Sequence, residues 1–315
     1  MRSRARLLTL VAGLLVLGLA PVVAALANQP FYLDLFRRTM IFAIAAVSLD
    51  LILGFGGMVS FGHAAYLGIG AYAVAIPAFY GIESGFVQWP LAVVLSALTA
   101  LAIGAVSLRT SGVSFIMITL AFTQMLYYLG ISITAWGADD GMRLVRRSQF
   151  GGVVDLANGY VFYYVVFGIL VALLALGRRV VHARFGVVVR AAKSNEPRMR
   201  AIGFSPFRYK LAAFVLAGAA GGLAGALLAN HTEYLTPSYM HWTRSGELMV
   251  MVILGGMGTL YGPVLGAVAF LLLEDLLSAW TVHWQIVLGP LLLLVVLYAR
   301  RGLASVLPGG FTIGG

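Results

Sequence analysis

The sequence contains no cysteine in 315 residues, which excludes disulfides, thiolate nucleophiles and cysteine-ligated metals and leaves the redox compartment open. Charge is scarce as well. Only 10% of the residues are Asp, Glu, Lys or Arg, against about 25% in a soluble domain, so an ordinary water-facing surface cannot be built. The phosphate-cradling pattern Gly-x-x-x-x-Gly-Lys-Ser/Thr is missing, because Lys193-Ser194 lacks the glycine before it, and the chain is not expected to hydrolyse ATP alone. The five histidines form no His-Glu-x-x-His pair, and no Gly-x-Gly-x-x-Gly follows a strand. No metal or cofactor is therefore expected in this chain.

What is present is apolar. Hydrophobic residues make up 61% of the chain, and at ~20 residues per crossing of a ~30 Å hydrocarbon layer the apolar runs suffice for about ten helices. A membrane barrel would show ~10-residue alternating segments, whereas the run from Ile286 to Tyr298 carries no polar side chain before the tyrosine. The expected fold is an all-α integral membrane protein, a polytopic bundle of about ten transmembrane segments with Gly-broken helices, forming one domain over residues 1–315. The first apolar stretch, 7–27, follows Arg2, Arg4 and Arg6 and ends in Ala25-Leu26-Ala27. This pattern fits a cleavable leader or a retained helix, with retention favoured. Further spans are expected at 36–54, 58–80, 89–108, 112–132, 160–177, 211–229, 246–260, 263–280 and 286–299.

With both termini on one side, the segments on that side hold fifteen Lys and Arg, nine of them within 178–210, and the opposite segments hold six, Arg37, Arg38, Arg143, Arg146, Arg147 and Arg244. The excess marks the cytoplasmic side and puts both termini there. The net charge of +10 thus records orientation in a lipid membrane. It is not the single basic face, interleaved with aromatics, that nucleic acid needs.

Three stretches interrupt the helical pattern. Residues 54–73 and 254–267 both contain Gly-Gly-Met followed by a hydroxyl residue and another glycine: Gly56, Gly57, Met58, Ser60 and Gly62 in one, Gly255, Gly256, Met257, Thr259 and Gly262 in the other. Paired Gly-broken segments point to a translocation path, and close helix packing is the competing reading, favoured for Gly218, Gly221, Gly222 and Gly225 at four-residue spacing. Asp50 and His63 are ionisable groups at membrane depth; Asp50 is expected to bond within the bundle. The third interruption, 178–210, reads as a short amphipathic helix at 185–192, a turn capped by Asn195 before Pro197, and a stop at Gly203. Its apolar Val187, Val188, Val189, Ala191, Met199 and Ile202 have no evident surface of their own to cover.

Five segments in order, SLDLILGFGGMVSFGHAAYLGIGAY at 48–72, ITLAFTQMLYYL at 118–129, GADDG at 137–141, RFGVVVRAAKSNEPRMRAIG at 184–203 and GELMVMVILGGMGTLYGPVLGA at 246–267, resemble the branched-chain amino-acid type permeases of ATP-binding-cassette importers, in particular the longer of their two membrane subunits. The resemblance covers nearly the whole chain. It implies an inner-membrane importer with a second homologous permease subunit, two cytoplasmic ATPase subunits that use ATP and Mg, and a periplasmic substrate-binding protein. It assigns ATPase coupling to Arg190, Asn195, Glu196 and Gly203, and places Gly56, Gly57, Ser60, Gly62 and His63 near the path, with Asp50 and Gln124 as further path candidates. Gln124 stands where an acidic residue is often found after Thr-Leu-x-Phe, and the 81–89 connection is short. Both departures leave the solute open among branched-chain amino acids, urea or short amides, and aromatic acids.

The loop 136–158, with Asp139, Asp140, Arg143, Arg146, Arg147 and Asp155, is a candidate dock for the binding protein, with Arg143, Arg146 and Arg147 as its cations; a solvated loop is the alternative. Two other functional classes compete: a membrane-embedded enzyme using His63 and Asp50, and a passive channel, which would carry charged rings or exposed carbonyls and no docking segment.

Overall fold

The computed structural model describes residues 17–19, 21, 30–152, 154–283, 286–290 and 302–305. Most of the span expected at 7–27 and of that at 286–299 lies outside these residues, as do Arg2, Arg4, Arg6, Arg300 and Arg301. Among the described residues the following helices run in order: α1 (Pro30–Asp50), α2 (His63–Phe79), α3 (Gly85–Ser107), α4 (Val113–Ser132), α5 (Gly159–His182), α6 (Arg184–Ser194), α7 (Glu196–Ala201), α8 (Pro206–Thr232), α9 (Trp242–Gly255) and α10 (Gly262–Trp280). A π-helical turn, Leu51–Phe55, prolongs α1. Two-residue strands, β1 (Met142–Arg143) and β2 (Tyr234–Leu235), pair antiparallel.

The chain is a multi-pass helical membrane protein. Among the described residues, six stretches are long and apolar enough to cross a bilayer, namely Phe31–Phe55, α3, α4, α5, α8 and α10, and α2 is apolar but shorter. α9, expected as a span at 246–260, starts earlier and is only 14 residues long. It stops at Gly255 because Gly256 takes φ +115°, a conformation that L side chains avoid.

α8 is the hub, packed on α3, α2 and α1. Glycine makes the approach possible: a Cβ at Gly70 of α2 would run into the Gly222 carbonyl of α8, and one at Gly225 into the Leu67 carbonyl. The small-residue spacing of α8 is thus a packing seam, as its pattern indicates. Enclosure is uneven. The Phe31–Phe55 span is almost wholly enclosed by the chain, whereas α4 buries Phe115, Thr119, Thr123 and Gly130 and leaves its other residues half-buried or exposed.

The polar segment is shorter than 178–210, since Arg178, Arg179 and His182 continue α5 and α8 begins at Pro206. Asn195 does cap α7, its Oδ1 accepting from the Arg198 amide at 2.9 Å, and Gly203 ends the unit at φ +89°. One expectation fails. The apolar residues of α6 and α7 are not all without cover: Val188, Val189, Ala192 and Met199 are buried within the chain, with Val188, Ala192 and Met199 closing on Tyr209 of α8. Two successive helices joined at Asn195 fold back on the start of α8, a tertiary arrangement that periodicity alone does not reveal. Val187, Ile202 and Phe204 remain exposed.

Candidate translocation and coupling site

The break between α1 and α2 organises the candidate site. After the π-helical turn, Gly57 adopts φ +68°, and residues 58–62 run without regular structure until α2 begins at His63. Bare backbone at membrane depth is costly unless protein groups satisfy it. Hydroxyls do so here. The Phe61 amide donates to Thr119 Oγ1 at 3.2 Å, and its carbonyl accepts from Thr123 Oγ1 at 3.0 Å and Ser245 Oγ at 2.7 Å. Ser245 Oγ also accepts from the Ala64 amide at 2.9 Å. Ser60 Oγ accepts from the Gly62 amide at 3.0 Å. The break is therefore held between α4 and α9, and the first turns of α2 and α9 meet beside it.

His63 is fully buried. Its Nε2 lies 2.7 Å from Ser48 Oγ, its ring meets Tyr66 edge-on at 5.6 Å, and Gly221 of α8 leaves it room. Asp50 takes a different partner: its Oδ1 accepts from the Gly258 amide at 2.8 Å. The two Gly-Gly-Met stretches thus come together, because Gly258 also lies against Gly54. Asp50 is the bonding group within the bundle that its sequence position suggested, and it forms no acid–base pair with His63. Gln124, on loosely enclosed α4, is half-buried, with an Oε1 that meets no hydrogen-bond partner among the described residues.

Lys193 links this break to the basic end of the molecule. Its Nζ donates to the Gly54 carbonyl at 2.7 Å, and its stem occupies the space that a side chain at Gly57 would need. An open groove of about 480 Å³ beside it is lined by Gly54, Val187, Arg190, Lys193, Met257 and Gly258. Arg190 itself bonds the Gly186 and Val181 carbonyls, each at 3.3 Å. Glu196 pairs with Arg200 at 2.5 Å and with Lys210 of α8. Partial burial pushes its carboxyl upward, but these two cations outweigh it and hold the group below its ordinary value. Of the four coupling candidates, Arg190, Asn195, Glu196 and Gly203 each have a local structural role, and Lys193 is what ties their unit to the break.

At the other end, residues 133–158 form a sewn-down cap. Gln149 exchanges backbone hydrogen bonds with Glu83 and Gly85 at 2.7 Å, and the Ser148 amide donates to Asn230 Oδ1 at 2.7 Å. Arg147 lies 2.9 Å from Glu233, donates to the Leu156 carbonyl at 2.9 Å and sits over the Phe162 ring. It is committed internally. Arg143 and Arg146 are exposed.

Sequence reasoning missed Ser48, Thr119, Thr123, Lys193 and Ser245, whose legible signal is hydroxyls and one lysine in or beside apolar helices. Counted above among residues outside the membrane, Arg244 stands in the first turn of α9 with its Nη1 2.8 Å from Glu247 Oε2, next to Ser245 at the level of the break.

Spans interrupted at depth, with the freed backbone satisfied by neighbouring helices, define a membrane transport protein. Residues 31–297 match the family described as branched-chain amino acid transport system / permease component, and the chain belongs to that family. It is 28% identical over 297 residues to the high-affinity branched-chain amino acid transport system permease protein LivM of Salmonella typhimurium, covering 86% of this chain and 69% of the relative. LivM of Escherichia coli gives the same identity and coverage. The permease protein LivH of Escherichia coli is 24% identical over 282 residues, 83% of this chain and 90% of the relative. No solved structure matches the chain. The family is one of transport permeases, and the enzyme reading of Asp50 and His63 is withdrawn with it.

Proposed function

We propose that this chain is the transmembrane permease subunit of an ATP-binding-cassette importer that moves branched-chain amino acids, or a related small amino acid or amide, across the inner membrane. A second homologous permease completes the membrane part. Two cytoplasmic ATPase subunits hydrolyse ATP with Mg, and a periplasmic binding protein delivers the solute. Residues 1–315 act as a single permease domain, with both termini and the α6–α7 unit in the cytoplasm, as the lysine and arginine asymmetry supports. The names of the LivM and LivH relatives support the solute class.

The observation that carries this reading is the α6–α7 unit. Its inner apolar side is packed on the chain, its Val187, Ile202 and Phe204 are exposed, and Lys193 joins it to the Gly54 carbonyl. Motion of a partner bound to the exposed side would thus reach the broken span through one hydrogen-bonded contact. A passive channel has no use for such a unit. The path assignment of Asp50, Gly56, Gly57, Ser60, Gly62, His63 and Gln124 is retained, with the buried groups shaping the break and Gln124 nearer to the open surface. Arg143 and Arg146 are proposed to meet the binding protein.

The test is reconstitution of the chain with the ATPase, second permease and binding protein encoded beside it, followed by uptake into proteoliposomes. ATP-dependent uptake of L-leucine that requires the binding protein is the expected result. Uptake without ATP, or of urea or aromatic acids in its place, would overturn the mechanism or the solute respectively.

A further inference from the structure

Ser245 fixes the depth of the first turn of α9. Its hydroxyl bonds the Phe61 carbonyl that Thr123 also reaches, and Thr123 lies midway along the 20-residue α4. α9 has 14 residues, about 21 Å at ~1.5 Å per residue, so its end at Gly255 approaches one boundary while its first turn stays within a ~30 Å hydrocarbon layer. At that depth Arg244 and Glu247 form an ion pair whose side chains retain 33% and 32% exposure. Trp242 and Thr243 beside them are exposed as well. Charged groups open to lipid are strongly disfavoured, and those found within a membrane face water or another polar surface.

We propose that this turn borders the translocation path and transiently binds the charged head of an α-amino acid, with Glu247 taking the ammonium and Arg244 the carboxylate in place of their mutual bond. The proposal deepens the permease reading and rests on it. One carbon separates the two charges of an α-amino acid, so both can reach neighbouring partners of opposite sign. A neutral amide, or a solute with a single charge, leaves one partner unmatched, and sites built on polar pairing reject such analogues. Competition from the internal ion pair keeps the site weak, which suits a path that must also release its solute.

The natural absence of cysteine in this chain makes a single introduced thiol the one labelling site on it. In the complete reconstituted transporter, Thr243→Cys is expected to react with a water-soluble thiosulfonate. L-leucine should slow that reaction severalfold, while 4-methylpentanoate and isopentylamine, which carry one charge each, should not. Glu247→Gln is expected to lower L-leucine uptake tenfold or more with assembly unchanged. An unreactive thiol overturns the proposal, since the turn then faces lipid or a sealed subunit contact. Equal protection by the singly charged compounds, or wild-type uptake by Glu247→Gln, overturns it too. A wild-type complex that moves urea or aromatic acids but no α-amino acid refutes the solute assignment and this site together, whereas a leucine-transporting complex whose thiol is unprotected refutes the site alone.

Discussion

Ser245→Ala removes a hydroxyl that serves two backbone groups at once, donating to the Phe61 carbonyl and accepting from the Ala64 amide. The two losses are unequal. Phe61 keeps Thr123 as a donor at 3.0 Å, but Ala64 sits in the first turn of α2, where no preceding helical carbonyl is available. A buried donor left without a partner costs about 1–3 kcal/mol, so Ser245→Ala should destabilise by that amount. Thr123→Ala should cost less than about 1 kcal/mol, because Ser245 still holds the Phe61 carbonyl. The double variant strips that carbonyl of both donors and should exceed the sum of the single effects by about 1 kcal/mol or more, the non-additivity expected of residues sharing a partner. Side-chain bonds in one helical membrane protein average only about 0.6 kcal/mol, because the membrane-bound unfolded state finds other partners. The coupling therefore discriminates better than either single value. Reversible unfolding in mixed micelles measures all three. Strict additivity, or a Ser245→Ala effect below about 0.5 kcal/mol, would refute the reading of this hydroxyl as the support of the broken span.

Four further outcomes are expected. Single thiols at Ser194 and Ala138 should label from opposite sides of the membrane, Ser194 from the cytoplasm, and labelling of both from one side would sink the topology. Val187→Ala with Ile202→Ala should weaken ATPase association, at about 1–3 kcal/mol for each large apolar contact in an interface centre, while membrane insertion stays normal; unchanged ATPase stimulation would count against docking. Glu196 titrates below its ordinary value of 4.5 in the folded chain, so its brace is present above that pH and is lost as pH falls through the lowered value. Glu196→Gln should abolish this part of the acid sensitivity of α7 protection in hydrogen exchange, and an identical acid profile would remove the brace. Reversing Arg143 and Arg146 to glutamate should slow binding-protein-dependent uptake and flatten its salt dependence, whereas wild-type kinetics at every ionic strength would leave them merely solvated.

What could be read from the sequence was local. The Asn195 cap, the stop at Gly203 and the breaks at Gly56–Gly57 and Gly255–Gly256 depend on backbone preferences that a few adjacent residues decide, and the structure places them where the pattern indicated. The small-residue seam of α8 was legible for a related reason: close approach of two backbones leaves no room for a Cβ at Gly225. Depth was not legible. Arg244 precedes an apolar run and so resembles a flanking charge, yet β2 and the short turn Pro237–Met240 come before α9, with Met240 buried against Gly68 of α2 and Gly130 of α4. Only the bonds from Ser245 to Phe61 and Ala64 reveal the level it reaches.

The same limit explains the coupling unit. Periodicity shows that Val188 and Met199 are apolar at helical spacing, but not whether the covering surface belongs to the chain or to a partner. Burial assigns them to the chain, so a variant truncating both would report on folding, and it is the exposed Val187, Ile202 and Phe204 that can report on apolar contact with a partner. The Lys193 contact with Gly54 then acquires its significance from position. A ligand or partner shifts a conformational equilibrium only through differential contacts with its two states, and a bond from the α6–α7 unit, which otherwise packs on α5 and α8, to the carbonyl of a π-helical turn is a contact that rotation of either element would break. Coupling through a single such bond should be fragile in one specific sense. If the chain works as the proposed importer subunit, removing it should leave both the exposed face of α6–α7 and the broken span intact, and should separate hydrolysis by the partner from movement of solute.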